Sequence, residues 1–224
     1  MKINDKDLTL KKRAKTFYFA SFFLPQKTRE DIEILYIFCR YLDDLGDNSN
    51  LEKRKKIKQL NMIKNEIILK KSKIIIINNF IKLMSKYNIS SKIPIDLISG
   101  IISDQKKFVN YKTFSELVKY SYKVAGTVGY MFCKIIKENK KKQILRGIQL
   151  GVAMQLTNIC RDIEEDLKMN RIYFPRKMRS FKEEKQTIIL KNKFIKNSLS
   201  NDLTKLLDNS ELIYNNAWDG IYNL

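Results

Sequence analysis

The chain has 224 residues, enough for a substantial core, with 44% hydrophobic residues, only 7 Gly and 3 Pro, and a formal net charge of +20. It contains no His, which excludes imidazole metal sites, His general bases and Ser-His triads. Few backbone breakers and long periodic segments predict an all-α fold, with residues 1–224 forming a single domain.

The basic excess is mostly lysine, spread through 53–73, 134–142 and 182–196 beside many Ile and Asn. It reads in part as compositional drift, in which Lys and Ile fill surface and core. Each Lys near an acidic membrane surface adds up to about 1 kcal/mol, so peripheral association with the inner face of a membrane is compatible with this charge. No basic stretch carries the interleaved aromatics of a nucleic-acid reader, so nucleic acid is not an expected partner. Cys39, Cys133 and Cys160 have no metal spacing and read as buried reduced thiols of a cytoplasmic protein. The first residues lack the apolar core of a signal peptide, and the longest aliphatic run, 74–77, is too short to span a bilayer.

In chain order, residues 8–23 begin polar and become aromatic. Pro25 to Thr28 is a turn, with Thr28 the expected N-cap of a helix running to about Leu45. On that helix Tyr36, Arg40, Asp43 and Asp47 share one stripe, and Leu35, Phe38, Leu42 and Leu45 make the opposite, apolar side. Arg40, one turn before the acidic pair, is a salt-bridge partner for Asp43, Asp44 or Asp47. Residues 50–88 predict one or two long helices, Lys-rich on one side and carrying Ile57, Leu60, Ile63 and Ile67 on the other. Pro94 suits an early helical position, and the helix over 95–108 carries Asp96 and Asp104, too far apart for a metal pair. A helix over 113–137 contains Gly126 and Gly129, each costing about 1 kcal/mol relative to Ala. Either close packing or a local break in the helix answers that cost.

A basic stretch, 140–146, opens the central helix. No Gly or Pro interrupts residues 152–170, which predicts continuous helix there. Gln155, Asn158, Asp162 and Asp166 fall in one stripe, while Met154, Leu156, Ile159, Cys160, Ile163 and Leu167 occupy much of the remaining surface. Residues 206–224 predict a last helix. Asp43 with Asp47, and Asp162 with Asp166, are i,i+4 carboxylate pairs that repel unless a cation lies between them. Carboxylates with neighbouring amides suit Mg²⁺, which binds through one or two carboxylates plus waters and substrate phosphates. Two such helices facing each other would hold several Mg²⁺ ions and stabilise a diphosphate leaving group. A lone acidic pair of this kind is more often a solvated face.

Six ordered blocks carry a resemblance: Ala14-Lys-Thr-Phe-Tyr-Phe-Ala20, Tyr36-Ile-Phe-Cys-Arg40, Asp43-Asp-Leu-Gly-Asp47, Val124-Ala-Gly-Thr-Val-Gly129, Ala153-Met-Gln-Leu-Thr-Asn158 and Arg161-Asp-Ile-Glu-Glu-Asp166. Together with Arg171, Tyr173 and Pro175 they resemble the squalene/phytoene synthases, head-to-head prenyl synthases of the isoprenoid synthase fold, with wording nearer the bacterial phytoene type. The resemblance implies a single helical bundle around a central cavity. It implies Mg²⁺, with Mn²⁺ as an alternative, at Asp43, Asp47, Asp162 and Asp166. It further implies diphosphate contacts from Lys15, Thr16, Arg40, Arg161 and Arg171, and cavity positions for Phe17, Tyr36 and Tyr173. Gln155, Asn158 and the catalytic Tyr120 would line the reacting centre. For 124–129 it implies a helix that opens and turns backbone carbonyls towards carbocation charge. Asn170 stands where Gly is common and keeps the turn, since Asn tolerates left-handed backbone. Family members continue for about two more helices, so the chain is expected to lack its last helices.

The implied reaction joins two geranylgeranyl diphosphates through a cyclopropylcarbinyl diphosphate to phytoene, a step of carotenoid biosynthesis. The first alternative is squalene or dehydrosqualene formation from farnesyl diphosphate. No NADPH-binding fingerprint is visible, which favours a non-reductive product. The second alternative is a non-catalytic paralogue, a subunit or lipid-surface binder. Oligomeric state is not encoded in any of these motifs.

Overall fold

A computed structural model describes residues 19–106, 108–169, 171–181 and 193–221, with side chains in the last helix from 198 onward except at 219 and 221. The elements among them are α1 (Gln26–Asp47), α2 (Lys53–Ile68), α3 (Ile75–Lys86), α4 (Lys92–Ser103), β1 (Val109–Asn110), α5 (Phe114–Ser121), α6 (Thr127–Ile135), α7 (Lys141–Arg161), α8 (Ile163–Lys168), β2 (Arg171–Ile172) and α9 (Lys193–Ile221). A π-helical turn, Tyr122–Gly126, joins α5 to α6. The all-α expectation holds: the two strands together pair only Val109 with Arg171 and Asn110 with Ile172, in parallel.

The chain forms two compact units, one of residues 1–105 with 130–144 and one of 106–129 with 145–224. In the first, α1 packs against α2, α3 and α4. Its predicted apolar side is the buried one: Leu35, Phe38, Leu42 and Leu45 are all inaccessible. Phe38 stacks on Phe80 of α3, with ring centroids 3.6 Å apart. Asp31, buried near the start of α1, accepts hydrogen bonds from Lys86 and from Tyr87 (2.6 Å), which ties α1 to the end of α3. α1 begins earlier than the sequence suggests, after Pro25, and no side chain caps it, so Thr28 lies inside the helix. The 50–88 stretch resolves into two helices, α2 and α3.

Helix α2 contains a surprise. Leu60, Ile63 and Ile67 are buried as expected, but the first buried position is Lys56, not Ile57. Scarcity of glycine also shows at the helix ends. Lys70, Asn88 and Lys137 adopt left-handed backbone, with φ of 52°, 51° and 64°. The amide one residue further on bonds back five residues in each case, to Glu66, Met84 and Cys133. These are Schellman-type endings, which glycine fills most easily.

In the second unit Thr113 caps α5 by accepting from the Glu116 amide at 3.2 Å. The core gathers Leu117, Tyr120, Val152, Leu156, Ile159, Tyr173, Phe174 and Leu206 around β1 and β2. No helix among the described residues is long and apolar enough to cross a membrane. The three cysteines are free. Burial pushes the thiol of Cys160 up to about 11 and that of Cys39 higher still, so both are inert near neutral pH.

Candidate active site

The first acidic motif occupies the C-terminal end of α1. Asp43, Asp44 and Asp47 crowd its last turns, and no basic residue lies in the last turn. Carboxylates there oppose the helix dipole. Arg40 pairs with Asp44 at 2.6 Å, one of the three partners the sequence allowed. Asp43 and Asp47 are reached by solvent. Even so, the carboxyl of Asp43 is pushed from 3.8 up to about 7. Desolvation by the protein packed around it is the first cause, and repulsion from Asp47 the second; Arg40 opposes both, and Asp44 and Asp104 add further repulsion. Asp104 belongs to no sequence motif. Its influence on Asp43 arises only because α4 packs on α1.

The second motif differs in character. The predicted continuous helix breaks at Asp162, which has φ −100° and ψ 16° and separates α7 from α8. Arg161 pairs with Asp162 at the break. Its Nε and Nη2 donate to the two carboxylate oxygens of Asp162 at 2.6 and 2.7 Å. Sequence neighbours on a regular helix diverge by about 100°, and the departure from helical backbone at Asp162 coincides with this pairing. Hydrogen bonds from Asp162 N to Asn158 O and from Asp166 N to Asp162 O, both 2.9 Å, carry the chain across the break. Asp166, Glu164 and Glu165 then lie in the first turn of α8, where the dipole favours negative charge. Hydrogen bonding by Arg161 holds the Asp162 carboxyl below its ordinary value. Gln155, Asn158, Asp162 and Asp166 are all half-buried.

Between these motifs in sequence lie the two small-residue helices. The 124–129 block shows both features weighed above. Tyr122–Gly126 widens into a π turn, with the Thr127 amide bonding to Tyr122 O. The glycines also fit a tight crossing with α7: a Cβ on Gly129 would sit 2.1 Å from Gly147 O, and one on Gly151 would sit 2.4 Å from Ala125 O. Single π turns are frequent at functional sites.

Tyr120 and Tyr173 meet. Tyr120 donates a 3.1 Å hydrogen bond to the Tyr173 hydroxyl, and their rings stack at 5.0 Å. Tyr111 completes the group, 5.3 Å from Tyr120 and 6.2 Å from Tyr173. Sequence reasoning missed Tyr111, whose only signal is its place just after β1. The segment bearing Arg171 and Tyr173 is fastened along its length. Tyr111 O and Lys112 O accept from the amides of Arg176 (2.8 Å) and Lys177 (3.1 Å). Arg179 bonds Phe174 O at 2.9 Å and also reaches Asn110. Asp202, fully buried on α9, accepts from the amide and the hydroxyl of Ser180, both at 2.6 Å. Arg171 is half-buried on β2, and Tyr36 is half-buried on α1. Lys15, Thr16 and Phe17, with Asn170, lie outside the described residues.

Among the described residues no three His, Cys, Asp or Glu side chains gather into a ready metal cage. A hard cation such as Mg²⁺ takes one or two carboxylates and completes its shell with water and phosphate oxygens. Mutual repulsion of Asp43 and Asp47 is what such a cation would relieve.

Comparison with known proteins fits this chemistry. The family model described as squalene/phytoene synthase matches residues 10–224. The chain is 31% identical over 170 residues to "Phytoene synthase 1, chloroplastic" of Zea mays, covering 72% of this chain and 41% of that protein. It is 29% identical over 219 residues to "4,4'-diapophytoene synthase" of Staphylococcus haemolyticus, covering 96% of this chain and 75% of that protein. The match thus spans about two fifths of the maize protein's length. A crystal structure of a dehydrosqualene synthase superposes with a TM-score of 0.79 at 28% identity, over 94% of this chain and 73% of the other. A squalene synthase from Alicyclobacillus acidocaldarius, 20% identical, shares the fold with a TM-score of 0.67 over 94% of this chain and 90% of the other. The fold is the all-α isoprenoid synthase fold, and by its sequence the chain belongs to the squalene/phytoene synthase family.

Proposed function

We propose that the chain acts as a head-to-head prenyltransferase, condensing two geranylgeranyl diphosphates to phytoene. The observation that carries this reading is the pair of acidic motifs, Asp43/Asp47 and Asp162/Asp166, within a family match covering nearly the whole chain. In the reaction, ionisation of one diphosphate gives an allylic cation and inorganic diphosphate. The double bond of the second substrate attacks it, and proton loss closes a cyclopropane. The resulting carbinyl diphosphate ionises in turn, rearranges and loses a proton to give the hydrocarbon.

Asp43, Asp47, Asp162 and Asp166 would hold Mg²⁺, or Mn²⁺ in its place. Such an ion supplies Lewis-acid stabilisation of the departing diphosphate. Arg40, Arg161, Arg171 and Lys15 add fixed positive charge for the leaving group, with Thr16 as a hydroxyl donor. Arg161 also hydrogen-bonds Asp162, which lowers that carboxyl from its ordinary value. Tyr120 and Tyr173, hydrogen-bonded and stacked, present aromatic faces and hydroxyls to a cationic centre. Carbonyls of the π turn offer dipoles to the same charge. Gln155 and Asn158 orient the reacting ends; Phe17 and Tyr36 wall off water.

A second reading, dehydrosqualene formation from farnesyl diphosphate, is favoured by the relative covering 96% of this chain and by the structure with TM-score 0.79. Purified protein incubated with Mg²⁺ and each diphosphate separately distinguishes the two by product. Phytoene from geranylgeranyl diphosphate is expected, with activity abolished in Asp162→Asn. No hydrocarbon from either substrate, or full activity in Asp162→Asn, defeats the proposal.

A further inference from the structure

Helix α1 ends in three aspartates with no basic residue in its last turn, yet its last buried carbonyl is doubly bonded. The helix stops at Asp47, so the carbonyl of Gly46 has no helical amide to receive. Lys56, only 8% exposed, donates from Nζ at 2.9 Å. Gln105, 5% exposed, donates from Nε2 at 3.1 Å and also reaches Ile101 O at 3.4 Å. The donors come from ten and 59 residues away in sequence. Gly46 itself is fitted closely, since a Cβ there would meet Ile101 Cγ2 at 2.7 Å.

A buried ammonium is expensive to desolvate. One placed on the carbonyl end of a helix is favoured by the dipole. A purely apolar side chain at this position would leave the Gly46 carbonyl without the 2.9 Å bond that Lys56 gives it. Gln105 adds direction: a second donor fixes the plane of the last peptide, and with it the course of the chain through Asp47.

We propose that Lys56 and Gln105 are positioning residues that clamp the Gly46 carbonyl and so hold Asp43 and Asp47 in register for binding a metal-bound diphosphate. This rests on the function proposed above. Neither residue need touch substrate.

The test uses the full chain with Lys56→Met, Gln105→Leu and, as a control, Lys86→Met, which removes a partner of Asp31 at the far end of the same helix. Hydrogen exchange is followed without metal. Faster exchange confined to the amides around 44–50 is expected in Lys56→Met and Gln105→Leu but not in Lys86→Met. Binding of farnesyl thiodiphosphate, a non-hydrolysable substrate analogue, is then titrated against Mg²⁺. The Mg²⁺ concentration for half-saturation should rise about tenfold or more in Lys56→Met, as when supporting partners of metal ligands are removed. Unchanged exchange at 44–50, or unchanged Mg²⁺ dependence in a folded Lys56→Met protein, overturns the inference. Should Lys56→Met not fold, Gln105→Leu decides by the same two readouts. If the parent protein shows no Mg²⁺-dependent binding, the proposed function fails while the exchange pattern still decides the clamp.

Discussion

Arg161 holds Asp162 through two parallel hydrogen bonds, 2.6 and 2.7 Å long, between residues adjacent in the chain. The arginine is largely exposed, so the pair is screened and worth below about 1 kcal/mol. Its effect on pH behaviour has a definite sign. Asp162 has a folded-state carboxyl below its ordinary 3.8. The stabilisation is therefore complete above that value and lost as pH falls through the lower, folded one. In metal-free protein, Arg161→Ala should melt slightly lower than the parent at pH 5 to 6, with the gap closing as pH falls below 3.8. Differential scanning fluorimetry across that range checks it, and a gap that widens on acidification refutes it.

Asp43 makes the opposite prediction. Its folded-state carboxyl is raised from 3.8 to about 7 by desolvation and acidic neighbours. Such a group contributes most below its unfolded value, and that contribution is lost as pH rises through the folded one. Asp43→Asn removes the ionisation. In metal-free protein the variant should gain stability over the parent between pH 4 and about 7 and keep the gain above it. The same substitution should weaken Mg²⁺-dependent binding of a prenyl thiodiphosphate. A melting difference that is flat from pH 4 to 8 would refute the electrostatic account of this site.

The glycine crossing gives a graded series. Gly129→Ala and Gly151→Ala each drive a methyl group into backbone, at 2.1 and 2.4 Å. Overpacking of that kind costs typically about 1–3 kcal/mol. Gly126→Ala meets only side chains, Tyr122 at 3.0 Å, Ile148 at 3.2 Å and Val152 at 3.3 Å, and should be the mildest of the three. Chemical denaturation ranks them, and Gly126→Ala proving the most damaging would contradict the packing described.

These cases show which parts of the molecule were legible beforehand. The buried side of α1 was, because Leu35, Phe38, Leu42 and Leu45 recur at helical spacing. The glycine block was, because its spacing is local. Lys56 was not, since a lysine within a lysine-rich run carries no mark of the carbonyl it will meet. Asp104 and Tyr111 were hidden for the same reason: their significance comes from α4 packing on α1 and from β1 pairing with β2. The helix break at Asp162 escaped because neither Gly nor Pro marks it and the apolar periodicity runs on through it.

Tyr120 and Tyr173 offer the sharpest separation of structure from chemistry. Their hydroxyls are hydrogen-bonded at 3.1 Å and both side chains are buried, 6% and 5% exposed. Removing either hydroxyl deletes this bond and should cost about 1 kcal/mol, and removing both deletes the same bond only once. Stability measurements on Tyr120→Phe, Tyr173→Phe and the double variant should therefore be non-additive, with the double variant no worse than the poorer single one. Activity should behave differently. If Tyr120 acts on the reacting centre, Tyr120→Phe lowers turnover while the protein stays folded, and the double variant does not recover it. Additive stability losses would show that the two hydroxyls are not coupled. Turnover unchanged in Tyr120→Phe would reduce Tyr120 to a core residue.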